Sequence, residues 1–177
     1  MTNDAQSSPV APAILSPVGL PPAMKNKPAW LFATWFGCGY SRFAPGTVGS
    51  LAAILIAWPL SLLGFSRLHF LVLALALLYP AVRAAGIVAT ASGRKDPQII
   101  VIDEVIGQWF TLAGALRFDF LTLALAFGLF RLFDIWKPPP IRLIEQIPGG
   151  AGIVLDDMMA GAYAALVLFL VGWFNHH

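Results

Sequence analysis

The feature that most constrains this chain is a succession of apolar runs, at about 50–65, 68–82, 98–116, 119–133 and 158–174, set off by short breaks that carry the charges. Such a pattern predicts an all-α membrane protein with about four or five membrane-embedded helices. Several runs are only 15 to 19 residues long. That is at or below the roughly 20 that cross ~30 Å of hydrocarbon, so the helices must extend past the runs or the bilayer must thin locally. Composition agrees: 58% of residues are hydrophobic and 11% charged, whereas a soluble domain carries about twice that charged share. A mean hydropathy of +0.76 excludes a disordered chain. The net charge of +2 comes from basic residues scattered singly, which argues against a nucleic-acid partner. One cysteine, Cys38, cannot form an internal disulfide, and three histidines leave little for a zinc site, so oxygen-ligand chemistry remains.

Two domains of behaviour are expected: a flexible Pro-rich tail over 1–28, and a helical membrane domain over 29–177. The tail holds Pro9, Pro12, Pro17, Pro21, Pro22 and Pro28, so no helix or strand runs through it. It lacks the basic start, apolar run and cleavage site of a secretory signal, and its removal is not expected. Residues 29–36, with Trp30, Phe32, Trp35 and Phe36, are too short to span and read as an interfacial aromatic segment. With five spans, Lys25, Lys27 and Arg42 fall on one side together with Arg83, Arg94, Lys95, Arg131, Lys137 and Arg142. Only Arg67 and Arg117 fall on the other. The positive-inside rule then places the N-terminus and the loops around 83–97 and 131–157 in the cytoplasm.

The carboxylates are concentrated. No acidic residue occurs between Ala5 and Lys95, and eight of the nine lie within 96–157. Asp103 and Glu104 sit in the apolar context Ile99–Trp109, where each unpaired charge would cost about 2.5–3.5 kcal/mol or more. They need partners or a cation. On a helix Glu104 shares a face with Gln108, and Asp103 stacks over Gly107, leaving room for another backbone. Arg131, Asp134 and Lys137 recur at i, i+3 and i+6, and Pro138 places Lys137 at a helix end. Gly149 to Gly152 then lead into Asp156 and Asp157. The glycine run is expected to offer backbone N–H groups to a phosphate, and Pro45-Gly46-Thr47-Val48-Gly49-Ser50 has the same form, with Arg42 just outside. Thr47 and Ser50 are its candidate caps. All four segments open on one face. Carboxylates, cations and glycine turns gathered at one membrane surface suit a hard divalent cation such as Mg²⁺ bridging to the phosphate of a lipid headgroup.

Plainer readings stand beside these. The carboxylates could form structural ion pairs, Glu104 or Asp157 with Arg131. Pro45–Ser50 could be a helix start, and Gly149–Gly152 a turn for helix packing. Asp119 reads as a surface residue or cap, and Asp96, Glu145, His69, His176 and His177 as solvent or interface residues. Cys38 and Arg42 stand in C-x3-R spacing, too short for a cysteine-phosphatase loop, and no Asp-x-Asp pair is present.

In order, Pro45–Ser50, Ile102–Trp109, Phe130–Pro138 and Gly149–Gly161 resemble the phosphatidylglycerophosphatase A family over roughly residues 30–174. The resemblance implies a bacterial inner-membrane, Mg²⁺-dependent lipid phosphatase that converts phosphatidylglycerophosphate to phosphatidylglycerol and phosphate, with some activity on phosphatidic acid. The family's acidic motif residues fall on Asp103, Glu104, Asp134, Asp156 and Asp157, and its basic ones on Arg131 and Lys137. We assign metal binding to Glu104, Asp156 and Asp157. Catalytic roles go to Asp103, Asp134, Arg131 and Lys137, and phosphate contacts to Arg42, Gly46, Thr47, Gly149 and Gly150. The alternatives are a phosphatase that prefers phosphatidic acid, a phosphotransferase, whose Asp-Gly-x2-Ala-Arg block is absent, and a transporter or structural membrane protein. Small-residue faces would permit self-association.

Overall fold

A computed structural model describes residues 27–175. The expected tail thus lies outside the described residues, save Lys27 and Pro28, which open the first helix. Regular structure among the described residues is helical throughout. Helices α1 (Lys27–Ala33), α2 (Pro45–Leu62), α3 (Arg67–Ser92), α4 (Ile102–Leu112), α5 (Phe120–Trp136), α6 (Ile141–Ile144) and α7 (Gly150–Phe174) follow in order, with a 3-10 turn at Cys38–Tyr40.

Helices α2, α3 and α7 are long and apolar enough to cross a membrane. Their 18, 26 and 25 residues rise about 27, 39 and 37 Å. Their outward faces carry Leu55, Trp58, Val72, Leu75, Leu166 and Trp173, all exposed, while Ala53, Ala57, Ala74, Ala81, Ala85, Ala160 and Ala164 are buried. Large side chains outside and small ones inside suit a hydrocarbon solvent, in which helix association relies on close packing.

The expected span over 98–116 is not one helix. Helix α4 has 11 residues, rises about 16 Å and cannot cross alone. The turn before it is fixed by Ile100 N–H to the Pro97 carbonyl (2.9 Å) and Val101 N–H to the Ala33 carbonyl (2.9 Å). Every α4 residue except Glu104 and Phe110 is buried, so this short helix is the central post on which α2, α3, α5 and α7 pack. Gly107 makes room for α7, as expected from its spacing below Asp103. A side chain there would run into the Phe130 ring and the Asp157 carbonyl, and one on Gly161 would strike the Gly107 carbonyl. Trp109 closes the far half of α4, donating from Nε1 to the Ala53 carbonyl at 3.1 Å and meeting Trp35 edge-on at 5.8 Å.

Other expectations shift. Trp30 and Trp35 are buried rather than interfacial, whereas Phe36 and Phe43 are exposed. Helix α3 continues past Arg83, because one outward-facing cation does not break a helix, and it stops at Gly93 in the left-handed region (φ 64°). Helix α2 begins at Pro45, a first-turn position where the missing N–H costs nothing. Ser50 is not a cap; its hydroxyl donates to the Gly46 carbonyl at 2.9 Å. Thr47 makes no cap bond either. Helix α7 begins at Gly150, eight residues before the apolar run at 158, and so carries Asp156 and Asp157 on its second turn. Asp119 is the α5 N-cap, accepting from Thr122 N–H at 2.9 Å.

Candidate active site

Because successive long elements run in alternating directions, the starts of α2, α4 and α7 meet the ends of α3 and α5 at one end of the molecule. A cavity of about 240 Å³ opens there. Its walls are Ala44, Pro45 and Gly46 from α2; Asp96, Gln98 and Ile100 after α3; Asp103 and Glu104 from α4; Arg131, Asp134 and Lys137 from α5; and Ile153, Asp156 and Asp157 from α7. The structure therefore gathers seven of the eight charged residues expected at the site, all but Arg42, plus Gly46.

Three carboxylates form the inner cluster. Asp103, Glu104 and Asp157 each offer one oxygen within 4.8 Å of the others, and Asp103 and Asp157 are 7% and 5% exposed. Their backbones are fixed locally: Asp103 Oδ1 accepts from Glu104 N–H at 3.1 Å, and Asp156 Oδ1 accepts from Asp157 N–H at 3.0 Å. Asp156 stands apart, with Lys137 Nζ on its Oδ2 at 2.7 Å. Sequence spacing grouped Asp156 with the metal ligands; in three dimensions Asp103 is the third member of the cluster.

Both cations are paired with carboxylates that share the cavity wall. Arg131 Nη1 meets Asp134 Oδ2 at 2.6 Å along α5, not Glu104 or Asp157. Lys137 occupies the α5 C-cap in the left-handed region (φ 47°), bonding the Phe133 carbonyl through its N–H, so the Pro138 argument holds. Its Nζ also reaches Glu145 Oε1 at 3.1 Å. Burial disfavours the charged ammonium, but the Asp156 and Glu145 carboxylates more than offset it and hold Lys137 above the ordinary lysine value. Burial pushes the Asp96 carboxyl up.

Six carboxylates against two cations line the cavity, an imbalance that calls for a further positive charge. Two buried atoms show what is lacking: Glu104 Oε2, an acceptor, and Arg131 Nε, a donor, have no hydrogen-bond partner among the described residues. The all-oxygen donor set fits a hard divalent cation, and the free guanidinium edge fits an anion.

Four expected phosphate contacts do not line this cavity. Arg42 is exposed outside it, and Thr47 is absent from its walls. Gly150 is packed on α3, where a side chain would strike the Val82 carbonyl, and Gly152 on the preceding loop, where one would strike the Ile147 carbonyl, so both serve close packing. Gly149 lines a smaller neighbouring recess with Glu145. Asp96 at the rim and Glu145 behind Lys137 were read as surface residues. Only the fold back through Pro138–Pro140 brings Glu145 near, and no local spacing encodes that return.

A family model described as phosphatidylglycerophosphatase A matches residues 31–172. A Bacteroides thetaiotaomicron protein provisionally named a phosphatidylinositol-3-phosphatase is 38% identical over 148 residues, covering 81% of this chain and 92% of its own. Phosphatidylglycerophosphatase A of Escherichia coli is 39% identical over 153 residues, 86% of each chain. That of Haemophilus influenzae is 40% identical over 146 residues, 81% of this chain and 88% of its own. No solved structure matches the chain.

Proposed function

The chain belongs to the phosphatidylglycerophosphatase A family, and from that premise we propose that its cavity hydrolyses the terminal phosphate of phosphatidylglycerophosphate, releasing phosphatidylglycerol and inorganic phosphate. The observation that carries the chemistry is the pairing of unmet needs in one cavity: a carboxylate oxygen without a cation and a guanidinium nitrogen without an anion.

Asp103, Glu104 and Asp157 are the residues that would hold a divalent cation, for which we propose Mg²⁺; when bound, such an ion polarises a phosphoryl oxygen and activates water. Arg131 and Lys137 neutralise the non-bridging phosphate oxygens as charge builds on them. Asp134 and Asp156 hold those two cations in place through the 2.6 and 2.7 Å contacts. Asp103, in the first turn of α4, also orients the attacking water. Water adds to phosphorus, the bond from phosphorus to the glycerol oxygen breaks, and that oxygen leaves with a proton.

The relatives' names differ in headgroup, glycerophosphate in two and inositol 3-phosphate in one, and both are phosphomonoesters on a membrane lipid. We place the cavity at the cytoplasmic face of the inner membrane, because the positive-inside count assigns its loops there. The test is phosphate release by detergent-purified protein from phosphatidylglycerophosphate, with phosphatidic acid and phosphatidylinositol 3-phosphate compared, in Mg²⁺ and in chelator. Metal-dependent release, fastest from phosphatidylglycerophosphate, is expected. A folded protein that releases phosphate from none of the three refutes the hydrolase assignment, and a faster rate on another lipid reassigns the substrate.

A further inference from the structure

Gln108 lies at the middle of α4, 0% exposed, and neither its Nε2 nor its Oε1 has a hydrogen-bond partner among the described residues. A buried amide in this state loses water and gains nothing in return, whereas Leu or Met would fill the same volume without that loss. The other polar side chains of α4 have partners. Asp103 accepts from the Glu104 N–H, Trp109 donates to the Ala53 carbonyl, and the Thr111 hydroxyl donates to the Gly107 carbonyl at 2.9 Å. On α2, the Ser50 hydroxyl is taken by the Gly46 carbonyl. Glu104 is the exception, one turn before Gln108 on the same face, and its buried Oε2 is also without a partner.

Side chains on an α-helix lean toward its N-terminus, so Gln108 leans toward Glu104 and the cavity floor. The two orphan sets are complementary, an N–H donor below and a carboxylate acceptor above. We propose that Gln108 is a positioning residue for Glu104. Its Nε2 donates to Glu104 Oε2 through one buried water, since the two atoms do not bond directly, and so fixes the carboxylate that faces the cavity. The inference rests on the assignment of Glu104 to the cation site above. Partners of this outer kind shift metal affinity or activity by about 10- to 100-fold.

The experiment compares wild type with Gln108→Met, and with Gln108→Leu should the first fail to fold. Mn²⁺ alone is titrated into detergent-purified protein, free ion is read by electron paramagnetic resonance, and melting is followed with and without the ion. The expected result is Mn²⁺ affinity weakened at least about 10-fold, with metal-free melting unchanged or raised because a buried unsatisfied amide has gone. A variant that binds Mn²⁺ as tightly as wild type overturns the role of Gln108 while leaving the cation site standing. A variant whose metal-free melting falls together with its affinity makes Gln108 structural and overturns it too. Wild type that binds no Mn²⁺ overturns both the cation site and this inference.

Discussion

Gly46→Ala separates the geometry of the cavity from the stability of the fold. Gly46 lies in the first turn of α2 with its Cα against the Glu104 carboxylate. An added Cβ would stand 3.1 Å from Glu104 Cδ and 3.2 Å from Arg131 Nη1, and closer still to Glu104 Oε1. Ordinary contacts lie at about 3.5–4.0 Å, so the carboxylate must retreat by about 1 Å. The atom that yields is the far end of a flexible side chain, and the cost to folding is correspondingly small. Alanine in place of a helical glycine contributes about 0.5–1 kcal/mol in the other direction. Stability should therefore stay within about 1 kcal/mol of wild type. Catalysis should not: a ~1 Å misplacement can cost on the order of 10²-fold, equal to about 2.7 kcal/mol of activation free energy. The assay is kcat/KM for phosphate release beside a thermal melt of the same preparation. A variant that keeps its melting temperature and loses about 100-fold in kcat/KM supports the argument. Activity within a few-fold of wild type refutes it, because Glu104 would then tolerate the displacement.

Lys137→Met strands Asp156, whose side chain is 6% exposed. Losing one partner of such a pair should cost about 3 kcal/mol in a urea or thermal melt, and phosphate release should fall by about 10²-fold or more. The pH dependence has a definite sign: Lys137 is held above the ordinary lysine value, so its contribution is complete below about pH 10.4. On the alkaline side it is lost as pH rises through the higher folded value, so there wild type and Lys137→Met should converge in stability only in strong alkali. Asp157→Asn keeps the shape of the inner cluster and removes one charge. It should lower kcat/KM by about 10²-fold and raise the Mg²⁺ concentration for half-maximal rate; an unchanged Mg²⁺ curve would remove Asp157 from the ligand set. Gly107→Ala forces a Cβ onto the Asp157 carbonyl, a backbone atom that cannot swing aside, and should destabilise by about 1–3 kcal/mol or more. A melt equal to wild type would show that α4 and α7 can separate freely.

Much of the fold was legible from apolar run length, because a helix in hydrocarbon must satisfy its own backbone and cannot easily stop inside it. That logic failed at 98–116, where the surrounding solvent is protein rather than lipid. Buried on nearly every side, α4 can end early and let turns finish the passage. It failed again at Gly149–Gly152, where glycine signals two different things, an open backbone or a close approach. Only the position of Val82 on α3 decides between them. The charged residues were found because ionisable groups in apolar sequence need a reason. Their sorting was not found: Asp156 and Asp157 are adjacent in sequence yet serve opposite partners, since neighbours on a helix point about 100° apart and only Asp157 turns toward Asp103 and Glu104. Glu145 was missed because it returns to Lys137 over a loop whose path no periodicity describes.

The shortness of α4 also bears on leakage. Water and ions can enter the charged cavity, and a second opening beneath it would make the protein a conductor that discharges the membrane it sits in. Around the far half of α4 the core is aromatic: Trp109 lies 6.5 Å from Phe70 and Phe70 5.4 Å from Phe118 between ring centres, and Leu112 is fully buried. Such an aromatic cluster has no charge to carry an ion through, and the Thr111 hydroxyl near it is already taken by the Gly107 carbonyl. One end of α4 is thus given to chemistry and the other to insulation.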